Sequence, residues 1–131
     1  MVNDRTEMSA MADKKNNLPH NHGKINFIIE EALPDDTAII GVSNAMKQLG
    51  DPTRLRIFWY LCHTEECVLD IAAAVNMTSP AVSHHLRLLK SAGLIISRRD
   101  GKEMLYKAAD TPLAQALHRI IENIAEITCP D

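Results

Sequence analysis

Residues 67–107 place two short helical patterns back to back and follow them with two strand-like runs. That order restricts the possible folds more than any other feature of the chain. From Cys67 to Val75, the spacing of Val68, Ile71, Ala72 and Val75 gives a short helix one apolar face. Asn76-Met77-Thr78 is a tight connection, Ser79-Pro80 starts the next helix, and Gly93 closes it after about Ala92. At roughly 100° per residue, Val82, Leu86 and Leu89 fall on one side of that second helix. Pro80, His84, Arg87 and Ser91 lie opposite, with Ser83 flanking them. Leu94–Arg99 and Lys102–Lys107 read as strands separated by Asp100-Gly101, a strong hairpin signal. Two helices joined by a turn of three or four residues make a helix-turn-helix, and the hairpin after them supplies a wing.

The flanks complete a mainly α domain with one small hairpin. Asp35-Asp36-Thr37 offers an N-cap for a helix from Ala38 to Leu49 that ends at Gly50. Asp51-Pro52 restarts a helix whose Leu55, Phe58, Trp59 and Cys62 recur at helical spacing. The last helix starts near Asp110-Thr111-Pro112 and carries a stripe of Leu113, Leu117, Ile120, Ile121, Ile124 and Ile127. Residues 1–24 are polar and are expected to be a flexible N-terminal arm, leaving 25–131 as the winged helix-turn-helix domain. At 131 residues the chain has one domain's worth of core, too little to cover six large apolar side chains on a terminal helix. A second copy of the chain is the expected cover.

Charge gives this architecture a partner. The chain is −3 overall, yet residues 78–107 hold Arg87, Lys90, Arg98, Arg99, Lys102 and Lys107 against Asp100 and Glu103, a local balance of +4. A basic patch on a reading helix and a wing is the electrostatic footprint of a protein that binds duplex DNA. The expected contacts are Thr78, Ser79, Ser83, His84, Arg87 and Lys90 from the helix, and Arg98, Arg99 and Lys102 from the wing. His85, nearer the apolar side, is expected to pack or orient the helix. An enzyme is not expected. The sequence has no nucleophile elbow, no phosphate-cradling glycine loop and no paired catalytic motif, and Ser83, His84 and His85 point in different directions around one helix. A winged helix used only for protein contacts is the third class, and it would tolerate neutralising the basic residues. No apolar run approaches the ~20 residues that span a bilayer, and the first 24 residues lack a signal-peptide core. A cytoplasmic location is expected.

Several segments together resemble the ArsR/SmtB family of winged-helix repressors. They are Leu49-Gly-Asp-Pro-Thr-Arg-Leu-Arg-Ile57, Glu66-Cys-Val-Leu-Asp-Ile-Ala72, Ala81-Val-Ser-His-His-Leu-Arg-Leu-Leu89, Gly93-Leu-Ile95 and the hairpin from Arg99-Asp-Gly-Lys102 to Tyr106. The resemblance covers roughly residues 38–128. It implies a homodimer built on the first and last helices, bound to an inverted repeat near its own promoter and released by an inducer.

The resemblance also suggests where an inducer would bind. Glu65-Glu66-Cys67-Val68-Leu69-Asp70 stands where the cadmium-, lead- and zinc-responsive branch has Glu-Leu-Cys-Val-Cys-Asp, so Cys67 is a candidate ligand and Leu69 replaces a second one. In that branch the arm of one subunit reaches this helix of the other, and His20 and His22 stand about where its arm ligands lie. Asp70 or His63 would complete four ligands. Two imidazoles with one thiolate suit Zn²⁺ or a similar borderline metal better than Cd²⁺ or Pb²⁺. The alternative is that the histidines are idle and Cys67 is a small buried hydrophobe. At the family's site on the last helix, Asp110 and Glu126 fill two positions, while Pro112 and Asn123 replace the histidines, so that site reads as degenerate. His118, Glu122 and Glu126 share one helical face, which is either a ligand set or an ordinary solvated face. A third possibility is a thiol redox or persulfide switch using Cys62, Cys67 and Cys129.

Overall fold

A computed structural model of the chain describes residues 24–126, with side chains from Ile28 onward. His20 and His22, the arm expected over residues 1–23, Ile127 and Cys129 lie outside the described residues. The chain divides into two compact units at Ile40/Gly41. The first contains α1 (Lys24–Glu31), a helix absent from the sequence-based expectation, and the start of α2 (Asp36–Gln48). Asp35 begins α2 as foreseen, its Oδ1 accepting from the Ala38 N–H at 2.9 Å.

The second unit holds the winged helix. After α2 come α3 (Pro52–Leu61), β1 (Glu66–Cys67), α4 (Val68–Val75), α5 (Ser79–Ser91), β2 (Ile95–Asp100), β3 (Glu103–Ala108) and α6 (Pro112–Ala125). Asp51 caps α3 by accepting from the Arg54 N–H at 2.9 Å, with Pro52 inside the first turn, where a missing N–H does no harm. Asn76 ends α4 in the left-handed region, and the Met77 N–H returns to the Ala72 carbonyl. Asn tolerates that backbone better than most residues. The cap of α5 is Thr78 rather than Ser79, its Oγ1 accepting from the Ala81 N–H at 3.3 Å.

The strands fall one residue later than the sequence suggests. Asp100 pairs with Glu103, so the two-residue turn is Gly101-Lys102. Of the two, Gly101 alone takes a positive φ, +66°, which is the glycine-first form of tight hairpin. Cys67 is a strand residue, not helical. Glu66 and Cys67 pair with Tyr106 and Leu105, which makes a three-stranded antiparallel sheet in the order β1-β3-β2.

One core joins these elements. Ile57, Phe58 and Leu61 of α3 meet Ile71 of α4, Val82, Leu86 and Leu89 of α5, Leu94 and Ile95 at the start of the wing, and Leu117 of α6. Fully burying a side chain of this size stabilises by about 1.5–3 kcal/mol. The three apolar residues of α5 are therefore what fixes its rotation and sends its other side to solvent.

Candidate nucleic-acid interface and metal ligands

That outward side is polar. Ser83, His84, Arg87, Lys90 and Ser91 are exposed, Ser79 is half-buried in the first turn, and Thr78 is exposed while serving as the cap. Arg87 Nη2 lies 2.9 Å from His84 Nδ1. A guanidinium can only donate, so Nδ1 accepts and the His84 Nε2 carries the proton. His85 behaves differently. Half-buried, it receives Arg54 Nη1 on its Nδ1 at 3.2 Å, while Arg54 Nε also donates to the Gln48 carbonyl at 2.8 Å. This side chain ties the reading helix to α3, an orienting role. Burial first, with the Arg54 charge, holds the His85 imidazole below its ordinary range against the pull of Asp51.

The wing sorts its two arginines onto opposite faces. Successive strand residues alternate, so Ser97 and Arg99 share one face of β2 and Arg98 takes the other. Lys90 of α5 donates to Ser97 Oγ at 2.6 Å, which puts Arg99 on the same face as the reading helix. Arg98 instead makes a two-pronged ion pair with Glu65, Nε to Oε2 and Nη2 to Oε1, both 2.9 Å. The pair holds the Glu65 carboxyl below the usual carboxylate range and pushes the Arg98 guanidinium up. Glu65 lies outside the 78–107 window, so the +4 counted there overstates the charge free to meet a phosphate. Arg99 and Lys102 at the tip are exposed.

The candidate metal ligands are dispersed. Cys67 is buried at the start of α4 and lines a shallow recess with Val68, Leu69, Glu103 and Met104, while Asp70 is exposed on α4. Asp110 accepts from Gln115 Nε2 at 2.6 Å, just before α6, and Glu126 caps the other end of that helix, roughly 24 Å away at 1.5 Å per residue. Within one chain they do not meet. Cys62 opens on a different cleft from Cys67, one of about 460 Å³ bordered also by Thr64, Asp110, Gln115 and His118.

One convergence escaped the sequence. Of the face His118–Glu122–Glu126, the first two stay together at 2.8 Å, but Glu126 leaves the helix with φ +56°. Its place is taken by His63, just beyond α3, whose Nε2 lies 3.0 Å from His118 Nε2 and 3.4 Å from Glu122 Oε2. Among the described residues, His63, His118 and Glu122 form the one group of three or more His, Cys, Asp or Glu side chains close enough to share a metal ion. The His118-x₃-Glu122 spacing was the available signal; His63 is expected from the sequence only as a fourth ligand beside Cys67, and nothing local joins it to this pair.

Residues 51–97, from the α3 cap into the first strand of the wing, match the family described as bacterial regulatory protein, arsR family. The "Cadmium resistance transcriptional regulatory protein CadC homolog" of Staphylococcus aureus is 33% identical over 87 residues, 66% of this chain and 72% of that protein. The chain belongs to the ArsR family. A "Transcriptional repressor SmtB homolog" of Synechocystis is 38% identical over 78 residues, and the match spans 60% of this chain and 59% of that relative's length. Among solved structures, the homodimeric winged helix-turn-helix DNA-binding domain of a Mycobacterium bovis regulator superposes with a TM-score of 0.64. It is 31% identical and covers 72% of this chain and 90% of that one. Membership makes this ArsR-family chain a transcriptional regulator and not an enzyme. No helix among its described residues is long and apolar enough to cross a membrane.

Proposed function

We propose that this ArsR-family protein is a homodimeric repressor that binds an inverted repeat in duplex DNA and is released by a divalent, zinc-like metal ion. The observation that carries the reading is the exposed row Ser83, His84 and Arg87, held outward by buried Val82, Leu86 and Leu89 and flanked by Arg99 on the same side of the wing. A row of hydroxyl, imidazole and guanidinium groups at the start and middle of α5 supplies donors and acceptors for base edges in a major groove. Thr78, Ser79 and Lys90 at the ends of the row, with Arg99 and Lys102 on the wing, supply phosphate contacts that position the helix. Arg98 contributes less, because Glu65 already neutralises it.

The homodimer is supported by α6. Its Leu113, Leu117 and Ile121 pack on the core, while Ile120 and Ile124 point outward, 43% and 78% exposed. A second apolar face on a terminal helix fits an isologous two-fold contact, and the Mycobacterium bovis domain is described as homodimeric. Metal release is supported by the cadmium-resistance relative. A metal that prefers the weakly binding conformation shifts the dimer off DNA, and a coupling of about 1–3 kcal/mol gives a 5–150-fold change in affinity.

Binding of labelled DNA from upstream of the protein's own gene tests this. Replacing Arg87, Arg99 and Lys102 together by Ala should abolish binding at moderate salt, and each lost phosphate contact should flatten the log K against log salt slope by about 0.9. Unchanged binding would leave a winged helix used for protein contacts.

A further inference from the structure

We propose that His63, His118 and Glu122 form a divalent-cation site inside a single subunit, joining the end of α3 to α6. The inference rests on the repressor reading for its consequence, since the cation would be the inducer, but not for its chemistry. Three ligand atoms from two elements, 55 residues apart in sequence, stand 2.8, 3.0 and 3.4 Å from one another. Zinc with ligands at about 2.0–2.1 Å in a tetrahedron has ligand-to-ligand edges of about 3.3–3.4 Å. Shifts of a few tenths of an ångström would therefore make the triangle one face of a coordination shell.

The protons point the same way. If His118 Nε2 donates to Glu122, it has no lone pair left for His63; if it accepts from His63, its lone pair faces the carboxylate. No placement of protons gives each of the three contacts its own hydrogen. A cation among them uses all three lone pairs at once, with each imidazole keeping its proton on Nδ1.

The surroundings fit a ligand site. The side chains are only 19%, 22% and 15% exposed, so most of their hydration is already lost. Trp59 Nε1 donates to Glu122 Oε2 at 3.2 Å and packs its ring 4.5 Å from that of His63, an outer hydrogen bond that aims the carboxylate. His118 borders the 460 Å³ cleft, which offers an entry path and room for a water as fourth ligand. Two imidazoles and a carboxylate without thiolate select a borderline first-row dication such as Zn²⁺ over soft Cd²⁺. The route from this site to the wing is also short in sequence: two residues after His63 comes Glu65, which holds Arg98 of the wing.

The test uses full-length, metal-stripped protein titrated with Co²⁺ and then displaced by Zn²⁺. Wild type should bind one equivalent per subunit with the visible absorption of four-coordinate cobalt. Glu122→Gln, which keeps an acceptor for Trp59, and His118→Gln should each lose at least about tenfold in affinity; Trp59→Phe should lose about as much through misorientation alone. Cys67→Ser and the His20→Ala/His22→Ala double variant should bind as wild type. Circular dichroism of each variant confirms folding. No cobalt uptake, wild-type affinity in both Glu122→Gln and His118→Gln, or loss in Cys67→Ser instead would overturn the site. In DNA binding, Glu122→Gln should still hold the duplex but no longer release it with Zn²⁺. Wild type that binds cobalt as described yet no DNA would sink the repressor reading and leave the cation site standing.

Discussion

At the scale of single residues, the reading helix is aimed by contacts made inside the protein as much as by DNA. His85 is the clearest case: its Nδ1 can take the Arg54 guanidinium only while it is neutral. Burial and Arg54 outweigh Asp51 and lower its proton affinity in the fold, so the unfolded chain binds the proton more tightly. Stability is then intact above the ordinary imidazole value near 6.5 and is lost as pH falls through it toward the lower folded value. Urea midpoints at pH 7 and pH 5 should differ more for wild type than for His85→Asn; equal differences would dissociate His85 from the effect. Thr78 makes a second case, since its hydroxyl caps α5. Thr78→Ala should cost about 0.5–2 kcal/mol in chemical unfolding, separately from any effect on DNA. Both roles were half legible in the sequence. The apolar periodicity of α5 put His85 toward the core, but the cap shifted by one residue because Ser79 and Thr78 are both good caps and only backbone geometry chooses between them.

At the scale of elements, the helices and the wing followed from local rules: apolar spacing, Asp-Pro and Thr-Pro starts, and a glycine at the hairpin. What local rules missed was β1, two residues whose partners Tyr106 and Leu105 lie some forty positions on, and α1, whose pattern is too short to stand out. The facing of Arg98 and Arg99 was also hidden, since a one-residue change of register exchanges their faces. Gly101 fixes that register through φ +66°. Gly101→Ala should destabilise by roughly 1–2 kcal/mol, because a side chain in the left-handed region crowds its own carbonyl. It should also weaken DNA binding by misplacing Arg99 and Lys102. Thermal melting and DNA titration on the same variant check both, and an unaltered melt would mean the turn relaxes without strain.

At the scale of the whole molecule, the apolar stripe of α6 splits between two duties. Leu117 serves the chain's own core, and Ile124, 78% exposed, serves none among the described residues. Ile124→Glu should shift sedimentation toward monomer with helix content retained, and DNA affinity should fall with it; a dimer that survives the charge would place the contact elsewhere. The same split explains what the sequence concealed about the metal ligands. Periodicity showed His118 and Glu122 as neighbours, but only the packing of α6 beside the end of α3 brings His63 to them. The central claim is that α5 lies in successive major grooves, one from each subunit of a dimer. Dimethyl sulfate protection on the upstream duplex measures this directly, because guanine N7 faces the major groove. The account predicts two protected patches about 10–10.5 base pairs apart, or a multiple of that spacing, related by the two-fold of an inverted repeat and erased by Zn²⁺. A complex with every guanine N7 still reactive, or with protection on one side only, would contradict it.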